Sequence, residues 1–338
     1  MKKFRWIIPT KDFSKCVVLL LLLSLINCQQ NPQQQKVRKV GILCGLDYIS
    51  NVIDGFKTGM NEKGYIEGEN IVYDIEKTNF EPDKEEQILK QFVKSKVDLI
   101  LTFPTEVSMT AKAITQGSDI PVLFCFANIE GTDLVQSVSH PGGNVTGVRY
   151  PGPDIAIKRF EIMLELVPNA KRIWIPYQRG YPIVASQIKA LQPAALSNGV
   201  SLEEFPADNA LEIQNYLEKR GRQKDIGMDA ILFVAEPLSV TADAFEVMGK
   251  FAYQHKIPIG GALMSVNGYR SIFGVNVDLI STGKQAALLA DKILKGTNPG
   301  NVAVVSAESF FEFDYNTSRH FKLNVSEGLL SMADKIIR

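Results

Sequence analysis

Polar side chains gather directly behind short apolar runs, the places where a chain can hold a small molecule. Asp47 and Tyr48 follow Val40–Cys44; Phe103, Thr105 and Glu106 follow Val97–Leu101; Asn128 follows Ile120–Phe124. Later in the chain Tyr177 and Tyr181 flank Gln178-Arg179-Gly180, Glu236 and Leu238 follow Ala230–Val234, and Met264 and Asn276 follow two further runs. Carboxylates here can receive an ammonium or hydroxyl, and tyrosines offer ring faces together with a hydroxyl. The Thr105 hydroxyl can cap a helix that begins there and leave its neighbours' backbone N–H groups for a carboxylate. Arg149 and Arg179 are placed to clamp an acid with two parallel hydrogen bonds.

Chemistry that transforms a substrate has little support. His140, His255 and His320 are far apart and lack metal-ligand spacing, so no metal centre and no histidine-based catalysis is expected. There is no Gly-x-Ser-x-Gly elbow, no glycine-rich phosphate loop ending in Lys-Ser/Thr and no Gly-x-Gly-x-x-Gly fingerprint, so no cofactor is expected either. Cys44 and Cys125 lie inside apolar runs and read as small buried residues, not as a disulfide framework.

The elements that must position these groups alternate in type. Short β-branched runs are separated by amphipathic helical stretches, which implies parallel sheets covered by helices. Strands are expected at Val40–Cys44, around Ile71, Tyr73 and Ile75, and at Val97–Leu101 and Ile120–Phe124, with helices near Ile49–Lys63 and Asp83–Lys94. The turn cluster Pro141-Gly142-Gly143-Asn144 closes this first layer. A second layer follows: a helix near Asp154–Leu166, then strands at Arg172–Ile175, Ser201–Phe205, Ala230–Val234, Ile257–Ile259 and Ile272–Val275, with helices at Ile183–Ser197, Ala210–Lys219 and Thr241–Gln254. The long helix Thr282–Leu294, whose N-terminus Asp278 can cap, and the strand-like Val302–Val305 and Phe310–Phe313 are too few for a third domain. The economical arrangement is two lobes joined by three crossings: lobe I from 37–147 and 276–306, lobe II from 148–275 and 307–338. In such sheets ligands bind beyond the carboxyl ends of the strands.

The amino terminus reads as an export signal. Lys2, Lys3, Arg5, Lys11 and Lys15 precede an uncharged apolar run from Cys16 to Ile26, shorter than the about 20 residues a membrane span needs. Residues 1–27 are therefore assigned to a signal peptide, Cys28 to lipid modification and 28–36 to a polar tether, placing the domain outside the cytoplasmic membrane on a lipid anchor. Asn27 is bulkier than the usual residue at that position; an ordinary secretory signal and an uncleaved anchor are the alternatives. Without the first 27 residues the chain holds 32 basic against 36 acidic residues, a balance that gives nucleic acid no electrostatic footprint.

From Lys39 to about Leu329 the chain resembles the ABC transporter substrate-binding proteins of the type that includes tryptophan- and tyrosine-binding members. The resemblance is carried by Val97-Asp98-Leu99-Ile100, Asp119-Ile120-Pro121-Val122, Pro141-Gly142-Gly143-Asn144-Val145-Thr146-Gly147-Val148, Leu166-Val167-Pro168-Asn169-Ala170-Lys171-Arg172, Lys256-Ile257-Pro258-Ile259 and Ala290-Asp291-Lys292-Ile293-Leu294-Lys295-Gly296, in that order. It implies a periplasmic-binding-protein (Venus-flytrap, type I) α/β fold, a monomer, a small-molecule ligand trapped between the lobes, and a permease with its ATPase as partners. It also implies ligand contacts from the loop after the third strand and Asn128 on one side, and from the Tyr177 and Glu236 loops on the other. Two segments depart from the family pattern: Phe103-Pro104-Thr105-Glu106 stands where Gly-Thr-Pro is usual, and Trp174-Ile175-Pro176-Tyr177 where Val-Leu-Tyr-Asn is common. A sensory receptor domain of the same fold is the alternative function, followed by an enzyme on this scaffold.

Overall fold

The computed structural model describes residues 36–338; the signal segment, Cys28 and nearly all of the tether lie outside them. Chain order begins with β1 (Arg38–Cys44), α1 (Asn51–Glu62), β2 (Ile71–Lys77), α2 (Pro82–Lys94), β3 (Leu99–Phe103), α3 (Thr105–Ile114), β4 (Val122–Ala127) and β5 (Val145–Arg149). It continues through α4 (Gly152–Leu166), β6 (Arg172–Gln178), α5 (Val184–Ser197), β7 (Ser201–Ala207), α6 (Ala210–Gly221), β8 (Ala230–Leu232), α7 (Ala242–His255) and β9 (Ile259–Gly260). A short hairpin, β10 (Ser265–Val266) and β11 (Tyr269–Arg270), precedes β12 (Phe273–Val277) and α8 (Leu279–Leu294). The chain ends with β13 (Val305–Ser306), β14 (Ser309–Asp314), α9 (Tyr315–His320), α10 (Glu327–Met332) and β15 (Lys335–Ile337).

Two parallel sheets organise the molecule. The first has the order β13-β5-β4-β3-β1-β2 and the second β7-β6-β8-β9. The inner strands read as continuous apolar runs because both faces are covered: all of β3 and the last five residues of β1 are buried, whereas the edge strands β2 and β7 are mostly not. In each sheet the first strand in sequence lies between the second and the third. Each therefore reverses direction at a switch point, β1/β3 in the first and β6/β8 in the second, and a crevice opens there at the carboxyl ends.

The late return of the chain is fixed by glycine. On α1 a Cβ at Gly55 would fall 2.1 Å from the Ile280 carbonyl oxygen, and on α8 a Cβ at Gly283 would fall 2.1 Å from the Val52 carbonyl oxygen. The two helices touch backbone to backbone, which only glycine permits. Asp278 caps α8 through the Ser281 N–H, as its position implied. The chain passes between the two sheets after β5, after β12 and again after β13.

One expectation changes. Val145–Arg149, read as chain beyond the first layer, is a fifth strand of the first sheet; residue 147 falls inside it, as residue 276 falls inside β12. β12 lies beside β9, as expected of a last strand of the second layer: the Ile272 N–H donates to the Ile259 carbonyl at 2.8 Å, the Gly261 N–H to the Phe273 carbonyl and the Val275 N–H to the Gly261 carbonyl, both at 3.0 Å. On its other edge it pairs antiparallel with β14, which pairs with β15. Apolar periodicity predicts a buried strand but not its partner. Cys44 and Cys125 are buried thiols on β1 and β4.

Candidate functional site

Both switch points open on one cavity of about 580 Å³. The first half contributes Leu46 and Tyr48 beyond β1, Pro104 and Thr105 beyond β3, Phe126 and Asn128 at the end of β4, and Tyr150 beyond β5. The second contributes Arg159 from α4, Tyr181 and Ile183 beyond β6, the Val234–Pro237 loop beyond β8, and Ala262–Met264 beyond β9, with Gly274 and Asn276 from β12. The volume lies in the range of small-molecule sites.

A local irregularity aims one wall. The β4–β5 pairing slips between Cys125 and Ala127, and Phe126 takes a left-handed backbone, φ 49°, a conformation costly for a bulky residue and tolerated at functional sites. The slip turns the Phe126 ring toward the Tyr150 ring, their centroids 4.9 Å apart. An aromatic corner results where the chain leaves the first sheet.

Of the residues singled out by sequence, Tyr48, Thr105, Asn128, Tyr181, Glu236, Met264 and Asn276 line the cavity. Tyr48 stands at its mouth, 66% exposed. Thr105 lines it without capping its helix. Pro104 holds the N-cap position and α3 has no side-chain cap, so the Thr105 Oγ1 instead accepts from the Asn128 backbone N–H at 3.0 Å. Glu106 lies one step back, its carboxylate facing Tyr48 and within hydrogen-bonding reach of the Tyr181 hydroxyl, with Oε2 buried. Burial, reinforced by Glu106, pushes the Tyr181 hydroxyl far above the usual tyrosine range.

Glu236 has a different role from the expected ammonium receptor. Its Oε2 accepts from the backbone N–H groups of Gln178 (2.9 Å) and Leu238 (2.8 Å), its Oε1 from that of Ser239 (2.7 Å). The carboxylate ties the β8 loop to the end of β6.

Four expectations fail for identifiable reasons. Asp47 turns outward onto Lys77, 2.7 Å away. Phe103 is fully buried in the core of the first half, because β3 is covered on both faces. Leu238 is likewise core. Tyr177 points along the sheet surface, its hydroxyl donating to Glu204 at 2.9 Å: β-strand side chains alternate faces, and this one faces away from the crevice. Nor do the two surface arginines clamp an acid there. Arg149 pairs with Glu130 and Asp154, Arg179 with Asp208 and Glu212.

Among the cavity residues that sequence reasoning missed are Phe126, Tyr150 and Arg159. Tyr150-Pro151 directly before a helix was a legible turn signal. Arg159 sits mid-helix among apolar neighbours, and only the buried face of α4 distinguishes it from a surface arginine.

The cavity thus draws its walls from residues at the ends of both parallel sheets. Residues 40–337 match the family model described as ABC transporter substrate binding protein. The chain belongs to this family. A relative named "Tyrosine-binding protein" from Clostridioides difficile (strain R20291) is 24% identical over 286 residues, covering 83% of this chain and 80% of the relative. Among solved structures, a conserved domain protein from Vibrio cholerae shares 26% identity at a TM-score of 0.74, covering 89% of this chain and all of the other. An ABC domain from Streptococcus pneumonia in complex with L-Trp superposes at a TM-score of 0.74, with 22% identity over 89% of this substrate-binding protein and all of its own length. The fold is that of the periplasmic binding proteins, and the substrate-binding protein acts outside the cytoplasm, as its family does. Among the described residues no helix is long and apolar enough to cross a membrane.

Proposed function

We propose that this protein is the solute-binding lipoprotein of an ABC import system, capturing an aromatic amino acid or a related small organic molecule without transforming it. On this reading Cys28 carries the lipid that holds the protein at the cell envelope, the crevice shuts on its guest, and the closed form is what a permease with its ATPase recognises. The protein works as a monomer of two lobes: one built on the first sheet, the other on the second, with the crossings near 150, 278 and 307 as hinge.

One observation carries the reading: a cavity of about 580 Å³ at the switch points of both sheets, walled by both halves and furnished with Tyr48, Phe126, Tyr150 and Tyr181 beside a few polar groups. Four aromatic rings suit a planar guest. The relative named for tyrosine and the L-Trp complex lend support to an aromatic amino acid.

Calorimetric titration of the purified mature protein with L-tyrosine, L-tryptophan and L-phenylalanine tests it, followed by a wider set of amino acids and sugars. Saturable binding of an aromatic amino acid is expected, and guest at about 100 times its dissociation constant should add about 2.7 kcal/mol of stability. Tight binding confined to sugars would contradict the aromatic assignment. Labelling of cells with a radioactive fatty acid tests the anchor: the wild type should carry label and Cys28→Ser should not.

A further inference from the structure

The end of the first half opposite the cavity is rich in lysine. β1 starts there at Arg38 and reaches Cys44, beside the cavity loop, after a rise of about 20 Å at about 3.3 Å per residue. Lys36 and Lys39 stand at the start of β1, Lys94 and Lys96 at the turn between α2 and β3, and Lys292 and Lys295 at the close of α8; all six are exposed. Direct hydrogen bonds bring the three segments together. The Lys39 N–H donates to the Asp98 carboxylate at 2.9 Å and the Asp98 N–H to the Lys39 carbonyl at 2.7 Å. The Arg38 Nη2 donates to the Leu294 carbonyl at 2.8 Å.

The charge of this cluster is only partly balanced. Asp98 pairs with Lys36 and Asp291 with Lys295, but the two acids are 12% and 14% exposed against 68% and 66% for the lysines, so the ammonium groups form the outer layer. Lys39, Lys94, Lys96 and Lys292 have no carboxylate partner among the described residues. The exposed acids Glu62, Glu69 and Asp119 at this end are fewer, and Glu62 is paired with Lys284 at 3.0 Å. Val37 and Ile66 add exposed apolar side chains beside the lysines. Beyond its first 27 residues the chain as a whole carries 32 basic against 36 acidic residues, so an anionic surface repels it except through a local patch such as this.

Seven residues, Gln29–Gln35, separate Cys28 from Lys36. Eight peptide links reach at most about 28 Å in any conformation, well short of the roughly 50 Å breadth of a compact chain of about 300 residues. We infer that the partner of this lysine-rich end is an anionic phospholipid surface, on which the first half rests with the carboxyl ends of its strands turned away from the lipid. This rests on the lipid attachment at Cys28 proposed above, which brings such a surface within reach. Contacts between exposed lysines and headgroups are individually weak and screened by salt, so the pose is reversible and keeps the crevice open to solvent. A second copy is the poorer occupant, because two such patches repel each other.

The test is cosedimentation of the mature chain carrying Cys28→Ser, which has no lipid of its own, with vesicles of phosphatidylcholine alone and of phosphatidylcholine with an equal share of phosphatidylglycerol. Binding to the anionic vesicles at low salt is expected, with release at about 0.5 M salt and no binding to the neutral ones. Reversing Lys39, Lys96, Lys292 and Lys295 to Glu should weaken that binding more than about 100-fold, at roughly fivefold for each lysine near the surface. The same four reversals on the second half, at the exposed Lys189, Lys219, Lys224 and Lys250, should change it far less. Should either set fail to fold, judged by circular dichroism and melting temperature, the lipid and salt series on the otherwise unaltered chain and the single Lys96→Glu variant still decide. Equal binding to both kinds of vesicle, none to either, or equal loss from the two sets of reversals overturns the inference. So does gel filtration showing a salt-sensitive dimer that the first set abolishes, which would give the patch to a second copy. Failure of the anchor reads differently: no fatty-acid label on Cys28 with vesicle binding intact removes the anchor and leaves this surface standing.

Discussion

The Thr105 Oγ1 accepts a hydrogen bond from the Asn128 backbone N–H at 3.0 Å, between the loops that follow β3 and β4. Both residues are buried, so the contact fixes the spacing of two adjacent loops on the first wall of the cavity. It also sets where the Asn128 carboxamide stands.

Thr105→Ala leaves that N–H without an acceptor and should cost about 1–3 kcal/mol of stability. Thr105→Ser keeps the oxygen and should recover most of it. Denaturant unfolding of the two variants measures the difference, and guest affinity should fall in the same order. Equal unfolding midpoints for the two would show that the bond contributes nothing.

Where the chain leaves the first sheet, Gly152 begins α4 against the Asn128 side chain. A Cβ there would lie 2.5 Å from Asn128 Oδ1, and no such contact survives in real structures, so the carboxamide must move. Gly152→Ala should therefore reduce guest affinity by roughly tenfold or more while lowering the melting temperature only slightly. Titration calorimetry and thermal unfolding on the same preparation separate the two effects.

Tyr177 on β6 and Tyr181 just beyond it should behave differently. Tyr181→Ala removes a cavity wall and should weaken binding by roughly tenfold. Tyr177→Ala removes a ring tied to Glu204 on the sheet surface and should leave affinity within about twofold. A large loss from Tyr177→Ala would place the guest elsewhere.

That pair also shows what could be read from the chain alone. The alternation of apolar runs and amphipathic helices identified both sheets, because strands buried on both faces must be continuously apolar, and the rule that ligands bind at carboxyl ends selected loops that line the cavity. Within a loop it could not say which side chain turns inward. Tyr177 and Tyr181 are equivalent in sequence, and the pleat of β6 together with the turn at Gly180 decides between them. Glu236 was legible as a carboxylate behind a buried strand, but its use by three backbone amides depends on the local loop path. Arg159 was invisible for a related reason: a helical arginine is read as solvated until tertiary packing shows that its face is covered. The fifth strand was missed because Val145–Arg149 is short and holds Thr146 and Gly147 between its apolar residues.

A buried carboxylate offers a pH test of the first half. Glu85 is buried on α2 against the Thr78 hydroxyl, 2.8 Å away, and burial, only partly offset by that bond, raises its pKa above the usual glutamate value. The folded state therefore holds this proton when the unfolded chain has already lost it. Its stabilising share is present below the ordinary glutamate pKa of about 4.3 and is lost as pH rises through the raised folded value. Glu85→Gln removes the dependence. The stability of the variant relative to wild type should increase from pH 4 to pH 7 in paired denaturant titrations, and a decrease would refute the assignment.

The central claim is that the two sheet-built halves close on a guest held between them. Small-angle X-ray scattering of the mature protein, alone and with saturating L-tyrosine or whichever amino acid calorimetry shows to bind, tests it most directly. A smaller radius of gyration with the guest is the predicted result, as hinge closure around a ligand requires. Identical scattering from the free protein and one proven by calorimetry to be saturated would contradict it.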